Sequence, residues 1–216
     1  MNAFTIDASL RDSTEDQIVV AADALAVEGY YVFENFISSN EVSSLISALQ
    51  KFEEEGELKK AGIGNKDEFQ VNREIRGDYI KWLYRDSPFQ AVRNYLEQTD
   101  LLKLRLKELL FLPLMDFECH LAVYPGGAGY HRHKDAFQHH NHRLLSLVTY
   151  LNLDWKTEDG GALMLYPEKD QPFKVEPLAG RAIIFRSEIE HEVLPATRER
   201  MSVTGWFLNQ PANLKI

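Results

Sequence analysis

The chain has 216 residues, 44% of them hydrophobic and 26% charged, with a formal net charge of −9, enough for one domain with a sizeable core. So acidic a balance argues against a bulk nucleic-acid binder, whose affinity comes from clustered Lys and Arg. No stretch approaches the ~20 apolar residues of a membrane span. Met1 to Gln17 carries no secretory apolar run, and a lone cysteine, Cys119, fits a reducing compartment; the expected location is the cytoplasm.

In chain order, Ser13 with Asp16 reads as a capping-box start, followed by Ile18, Val19, Ala22, Leu25 and Ala26 at helical spacing. Gly29-Tyr30 breaks that helix, and Tyr31-Val32-Phe33 reads as a short strand. Ser38 with Glu41 opens a second helix whose apolar face is Val42, Leu45, Ile46, Leu49 and Phe52. Lys60 to Trp82 is polar and glycine-punctuated, which predicts a hairpin or mobile loop; loops of this length in compact domains are often functional. A third helix is expected from Ser87-Pro88, with proline in the first turn. Asp100 to Phe111 mixes two spacings and reads as a further helix, with Lys103, Arg105 and Lys107 on its solvated side.

From Asp116 the character changes to short strands. The candidates are Phe117–Tyr124, Tyr130–Lys134, Leu144–Leu151, Ala162–Tyr166, Phe173–Val175, Arg181–Phe185, His191–Leu194 and Arg200–Leu208. Pro125-Gly126-Gly127, Asp159-Gly160-Gly161, Ala179-Gly180 and Pro195 supply turns between them. That pattern predicts a mainly β fold, a sandwich or jelly roll. Residues 1–110 form a helical support carrying the loop at 60–82, and 111–209 form the β core of the same structural unit.

The candidate chemistry sits in the β half. His133 and Asp135 lie two apart on an extended segment and so point to one face. His191 on a distant strand completes a facial set of two imidazoles and a carboxylate, the ligand pattern of non-haem Fe(II) oxygenases. His131 shares the face of His133 and satisfies the same geometry, but only His133 has a carboxylate two positions on. His139, His140 and His142 crowd a polar loop, where solvent-exposed turn residues are the simpler reading. His120 shares a strand face with Ala122 and Tyr124 and reads as a pocket residue or one backing the metal ligands.

Arg200 supplies a permanent planar cation suited to gripping a carboxylate at two points. It shares a face with Ser202, Thr204 and Trp206, and such a face inside a barrel is costly unless a ligand satisfies it. Arg200 and Thr204 are roughly 13 Å apart along the strand, a span that suits a five-carbon diacid.

Taken in order, Tyr124-Pro125-Gly126-Gly127, Tyr130, His133-Lys134-Asp135, Tyr150-Leu151-Asn152, Gly160-Gly161, His191-Glu192-Val193 and Arg200…Thr204-Gly205-Trp206 resemble the 2-oxoglutarate- and Fe(II)-dependent prolyl hydroxylases. The likeness is greatest to the branch of hypoxia-sensing prolyl hydroxylase domains and their bacterial relatives. It also reaches Lys60-Ala61-Gly62 and Ile75-Arg76-Gly77-Asp78…Trp82.

The resemblance implies a double-stranded β-helix (jelly roll) buttressed by N-terminal α-helices. It implies Fe(II) held by His133, Asp135 and His191, and 2-oxoglutarate held by Arg200 with Tyr150, near Tyr124, Thr204, Trp206 and His120. Arg200 counts with the three metal ligands as catalytic. Asp78 and Arg143 match a pair that ties the substrate-covering loop to the barrel, and Arg76, Trp82 and Tyr130 fall on the substrate side. O2 would be the co-reactant and ascorbate the reductant. Asp135 as a ligand favours hydroxylation over halogenation.

The implied activity is 4-hydroxylation of a proline in a protein or peptide, with a translation or transcription factor suggested by the family alone. The chain is expected to act as a monomer, without nucleic acid or membrane. The same chemistry on a free amino acid, and a non-catalytic ligand-binding β-helix, are the alternatives. Gln138–His142 replaces the family's glycine-containing turn, and the Tyr124-to-His133 segment is one residue shorter than in the animal sensors. Both border the substrate entrance.

Overall fold

A computed structural model describes residues 8–61, 77–136, 142–168 and 170–212. Its elements run α1 (Ala8–Val27), β1 (Tyr30–Phe33), α2 (Ser39–Glu54), β2 (Lys59–Lys60), β3 (Tyr79–Leu83) and α3 (Gln90–Leu110). They continue with β4 (Asp116–Tyr124), β5 (Tyr130–His133), β6 (Arg143–Tyr150), β7 (Leu163–Tyr166), β8 (Phe173–Val175), β9 (Ala182–Arg186), β10 (Glu190–Val193) and β11 (Arg200–Leu208).

Helix α1 is already formed at Ala8, so Ser13 lies inside it and does not begin it. No Gly or Pro in Ala8–Arg11 stops the helix from extending backward. It buries Ile18, Ala21, Ala22 and Leu25 and ends at Gly29, whose φ of 89° suits a residue without a Cβ. Arg186 closes that end: its Nε donates to the Leu25 carbonyl at 3.1 Å and its Nη2 to the Ala26 carbonyl at 3.0 Å, placing a cation where the helix dipole is negative.

Helix α2 starts where its capping box predicts. Ser38 Oγ accepts from the Glu41 amide at 3.3 Å, and Glu41 Oε2 accepts from the Ser38 amide at 2.7 Å. Helix α3 corrects the expectation of a start at Ser87-Pro88 and a separate helix over 100–111. One 21-residue helix begins at Gln90, with Phe89 as N-cap. Its buried Val92, Tyr95, Leu96, Thr99, Leu102 and Leu106 keep helical spacing straight across Asp100. The Asp100 charge is met from the outside by Arg85 at 2.9 Å and Lys103 at 3.0 Å.

The strands form two antiparallel sheets, ordered β1-β9-β6-β11-β4-β3-β2 and β5-β10-β7-β8. Three strands from the N-terminal half, β1, β2 and β3, therefore belong to the larger sheet. Their edge, Lys59-Lys60, is exposed and charged, which discourages further pairing. Each face of the larger sheet has a core. On the outer face the three helices pack over Leu121, Leu145, Leu147, Ile184, Val203 and Phe207. The inner core, between the sheets, holds Ala122, Tyr124, Val148, Tyr150, Leu163, Leu165, Ile183 and Phe185. Period-two alternation along β4, β6, β9 and β11 sorts these residues to their faces.

A buried hydrogen bond between the Tyr95 and Thr149 hydroxyls, 2.9 Å, ties α3 to β6. Gly205 on β11 leaves no room for a side chain: a Cβ there would lie 2.4 Å from Phe117 Cζ and 2.8 Å from the Glu118 carbonyl oxygen. Of the expected elements, the 60–82 loop and the Gln138–His142 turn fall largely outside the described residues. What remains of the former is the β2–β3 pairing, Lys59 with Ile80 and Lys60 with Tyr79.

Candidate active site

The inner face of the smaller sheet brings two histidines together. His191 on β10 is the cross-strand partner of His133 on β5, and the ring centroids are 4.3 Å apart. Each Nδ1 lies near the carbonyl two residues earlier: His131 O at 2.7 Å from His133, and Ile189 O at 3.1 Å from His191. A carbonyl only accepts, so Nδ1 is the protonated nitrogen and Nε2 keeps its lone pair for a metal. Both Nε2 atoms face Asp135, at 3.7 Å from Oδ1 for His133 and 3.6 Å from Oδ2 for His191. Ligand atoms of the three residues all lie within 4.8 Å of one another. His131, the geometric competitor, is exposed and stands outside this cluster.

Asp135 follows β5 and is fastened to the larger sheet. Its amide and that of Ala136 both donate to the Ser187 carbonyl, at 3.1 and 3.0 Å. Its Oδ2 accepts from Ser146 Oγ at 2.7 Å, and Ser146 Oγ is 2.9 Å from Ser187 Oγ. Burial works against the carboxylate's charge. The electrostatic pull of His191, His133 and Arg143, with a contribution from the Trp206 indole N–H, outweighs it and holds the pKa down at about 2. The Trp206 N–H has no partner at hydrogen-bonding distance and acts here through proximity alone. Asp135 is thus ionised at physiological pH, as a metal ligand must be. Two imidazoles and a carboxylate, with hydrogen bonds behind each, fit Fe(II).

Arg200 begins β11, opposite Tyr124 on β4, and is 1% exposed. Nε donates to the Gly161 carbonyl at 2.9 Å and Nη1 to Ser202 Oγ at 3.5 Å. Among the described residues Nη2 has no hydrogen-bond partner, and neither does the buried hydroxyl of Tyr150. The guanidinium carbon lies 5.1 Å from the Tyr124 ring and 5.2 Å from the Tyr150 ring. Burial pushes the Tyr150 phenol up to about 12 against the pull of Arg200, so it stays a neutral donor. A buried cation with no carboxylate beside it is costly. Here it sits next to a second unsatisfied donor, and a carboxylate from a ligand answers both. The donor set therefore fits one end of 2-oxoglutarate.

The face continues along β11 and its neighbours. Thr204 lies opposite His120 and Val148, and Trp206 opposite Glu118 and Ser146. Thr204 is half-buried. Trp82 on β3 is paired with His120, and the two rings are 5.1 Å apart; His120 and Trp206 are 5.4 Å apart. These three rings form an aromatic wall. Tyr130 stacks on the ring of His133, centroids 3.6 Å apart.

Of the residues expected on the substrate side, Asp78 is buried at the entry to β3, where its carbonyl accepts from the Ala61 amide at 3.0 Å. Arg143 donates to Glu118 Oε1 at 2.8 Å and lies 3.6 Å over the Trp206 ring. Arg76 lies outside the described residues. Sequence reasoning missed Ser146, Ser187 and Glu118. Ser146 was within reach, since it alternates with Val148 and Tyr150 on the inner face of β6. Ser187 sits in a turn, where no periodicity marks it.

Residues 119–208 match the 2OG-Fe(II) oxygenase superfamily, the class that the two-sheet fold, the metal triad and the buried arginine define. Among solved structures, a Pseudomonas putida prolyl-4-hydroxylase is 40% identical, with a TM-score of 0.82 over 89% of this chain and 99% of that one. A Trichoplax adhaerens prolyl hydroxylase, in complex with a hypoxia-inducible factor peptide fragment, is 28% identical, with a TM-score of 0.86 over 95% and 94% of the two chains. The hypoxia-inducible factor prolyl hydroxylase of Caenorhabditis elegans is 29% identical over 195 residues, 84% of this chain but 27% of that protein. The chain thus spans little more than a quarter of that relative's length. It belongs to the 2-oxoglutarate- and Fe(II)-dependent prolyl hydroxylase family, and its cofactors are Fe(II) and 2-oxoglutarate.

Proposed function

We propose that the chain hydroxylates a proline, at C4, in a protein or peptide. His133, Asp135 and His191 hold Fe(II), and Arg200 with Tyr150 binds the distal carboxylate of 2-oxoglutarate. The observation that carries the reading is Arg200: a buried guanidinium with an unpaired Nη2 beside an unpaired Tyr150 hydroxyl. When bound, iron would activate O2 with 2-oxoglutarate as the sacrificial reductant, one oxygen atom converting C–H to C–OH and the other ending in succinate as CO2 is released.

The chain's own residues bind, orient and exclude. Tyr124 and Thr204 flank the cosubstrate, and the Trp82, His120 and Trp206 rings wall it from water. Tyr130 holds the His133 ring by stacking and, with Asp78 and Arg143, stands on the substrate side. A polypeptide substrate is supported by the peptide-bound Trichoplax relative. We take residues 1–110 and 111–209 as one structural unit, because β1 and β3 pair within the larger sheet. We place the protein in the cytoplasm as a monomer, with ascorbate as reductant. No helix among the described residues is long and apolar enough to cross a membrane.

The test is peptide mass mapping of a cell extract incubated with Fe(II), 2-oxoglutarate and the protein, against an Asp135→Ala control. A single-oxygen gain on a proline, absent in the control, is the expected result. Succinate formed only with small metabolites would move the substrate to a free amino acid.

A further inference from the structure

We infer that Ser187, Ser146 and Asp135 form a one-way hydrogen-bond relay that positions Asp135 as a single-oxygen metal ligand. The inference rests on the metal assignment proposed above and adds two positioning residues to it. The Oδ2–Oγ and Oγ–Oγ distances are 2.7 and 2.9 Å, and all three residues are buried, Ser146 and Ser187 at 0% and 1% exposed. No solvent competes for these bonds.

The direction of the relay follows from donor counting. A metal-binding carboxylate is deprotonated and only accepts. The one hydroxyl proton of Ser146 is therefore committed to Asp135 Oδ2. Towards Ser187, Ser146 has only lone pairs left, so Ser187 donates the second bond. The chain of protons runs Ser187 to Ser146 to Asp135, and cannot run the other way.

Ser187 also acts through its backbone. Its amide donates to Leu144 O at 3.1 Å, and its carbonyl accepts the Asp135 and Ala136 amides. That fixes the main chain at Asp135 against β6 and leaves one freedom, rotation of the carboxylate. The hydroxyl relay removes it. With one lone pair of Oδ2 taken by a proton donor, Oδ1 keeps all of its own and is the better donor to offer a metal. One-point ligation by Asp135 would leave positions on the metal open to the cosubstrate. A carboxylate free to turn could take up a second position and crowd it out.

The two serines then differ in weight. Ser146→Ala strips the bond to Oδ2, whereas Ser187→Ala leaves that bond and removes only the polarisation behind it. The experiment is Co(II) titration of the metal-free full chain, read by visible absorption, with metal-free melting curves as the check on folding. Ser146→Ala should bind Co(II) about 10-fold or more weakly, with an altered band intensity reporting changed coordination. Ser146→Thr, which keeps the hydroxyl, should restore affinity and spectrum. Ser187→Ala should lose less, and the double variant should bind no more weakly than Ser146→Ala alone.

Equal affinity and an unchanged spectrum in Ser146→Ala overturn the relay, as does a Ser187→Ala loss that adds in full to the double variant. If Ser146→Ala does not fold, the comparison of Ser146→Thr with Ser187→Ala decides alone: equal affinities overturn the proposal. Failure of the unaltered chain to take up Co(II) overturns the metal assignment and the relay together.

Discussion

His191 lies directly across from His133 in the β10–β5 ladder, and both rings are anchored in the same way, through the carbonyl two residues upstream. Backbone register, rather than side-chain packing alone, therefore sets the spacing of the two nitrogen ligands. Register on a sheet changes only in whole-residue steps, and a one-residue slip of either strand would turn its imidazole to the face opposite the other. The site is accordingly pre-set before any metal arrives.

That arrangement predicts a clean separation of binding from folding. His191→Ala removes a metal ligand but leaves the β10 main-chain pairing with β5 and β7 in place. Metal affinity should fall by about 100-fold or more, and succinate formation should stop. The metal-free protein should keep its circular dichroism spectrum and lose no more than about 2 kcal/mol in urea unfolding. Turnover retained by this variant would remove His191 from the ligand set.

At the other end of the site, Arg200 and Tyr150 are predicted to act on 2-oxoglutarate and not on the metal. Arg200→Ala deletes the buried cation and should raise the 2-oxoglutarate requirement ~100-fold, as expected for about 3 kcal/mol of charge-assisted bonding. Arg200→Lys keeps the charge but not the planar fork, and should recover only part of it. Tyr150→Phe should cost about 10-fold. Because the phenol is held neutral up to about 12, that cost should be constant from pH 6.5 to 8.5. Isothermal titration of the metal-loaded protein gives all three values; a Tyr150→Phe effect that fades with rising pH in this range would contradict the neutral-donor role.

Much of this was legible in the sequence because the site is written in short periods. Arg200, Ser202, Thr204 and Trp206 alternate along one strand, so strand geometry alone predicts their shared face; Asp135, two residues past His133 and beyond the end of β5, is aimed by its bonds to Ser187 and Ser146. The capping box at Ser38 and Glu41 was equally plain. Helix α3 was not, since Asp100 interrupts its composition without interrupting its buried stripe; Lys103 one turn on and Arg85 from outside the helix together meet that charge. Ser187 and Glu118 were invisible for a related reason. Each acts on a residue far away in sequence, Ser187 on Ser146 and Glu118 on Arg143, and a single chain carries no mark of such long-range pairs.

Alkaline pH should unfold the protein through three buried acids that must stay neutral. Burial raises the Tyr95 phenol and the Cys119 thiol well above their ordinary values of 10.0 and 9.0, and the Tyr150 phenol to about 12. Above those ordinary values the unfolded chain releases protons that the folded chain retains. The unfolded state then binds fewer protons, and stability falls as pH rises. The contribution is complete below about pH 9 and is lost progressively above it. Urea midpoints should be level from pH 7 to 8.5 and drop by pH 10.5. Cys119→Ala should flatten the first part of that drop, between pH 9 and 10; an identical profile would place the alkaline sensitivity elsewhere.

Gly161 links the turn before β7 to the cosubstrate arginine, and its substitution should separate the two halves of the site. Its φ of +69° disfavours any residue with a Cβ, and a Cβ there would lie 3.1 Å from Trp155 Cζ2 and 3.3 Å from Arg200 Cδ. The same residue's carbonyl takes the Arg200 Nε bond. Gly161→Ala should therefore destabilise the fold by about 1 kcal/mol or more from backbone strain and displace the guanidinium. The metal ligands, carried by β5, β10 and the segment after β5, do not share this contact. Binding of 2-oxoglutarate should weaken several-fold while Co(II) affinity of the metal-free chain stays unchanged. Parallel loss of both would mean that the strain spreads through the smaller sheet, and that Arg200 is not separately adjustable.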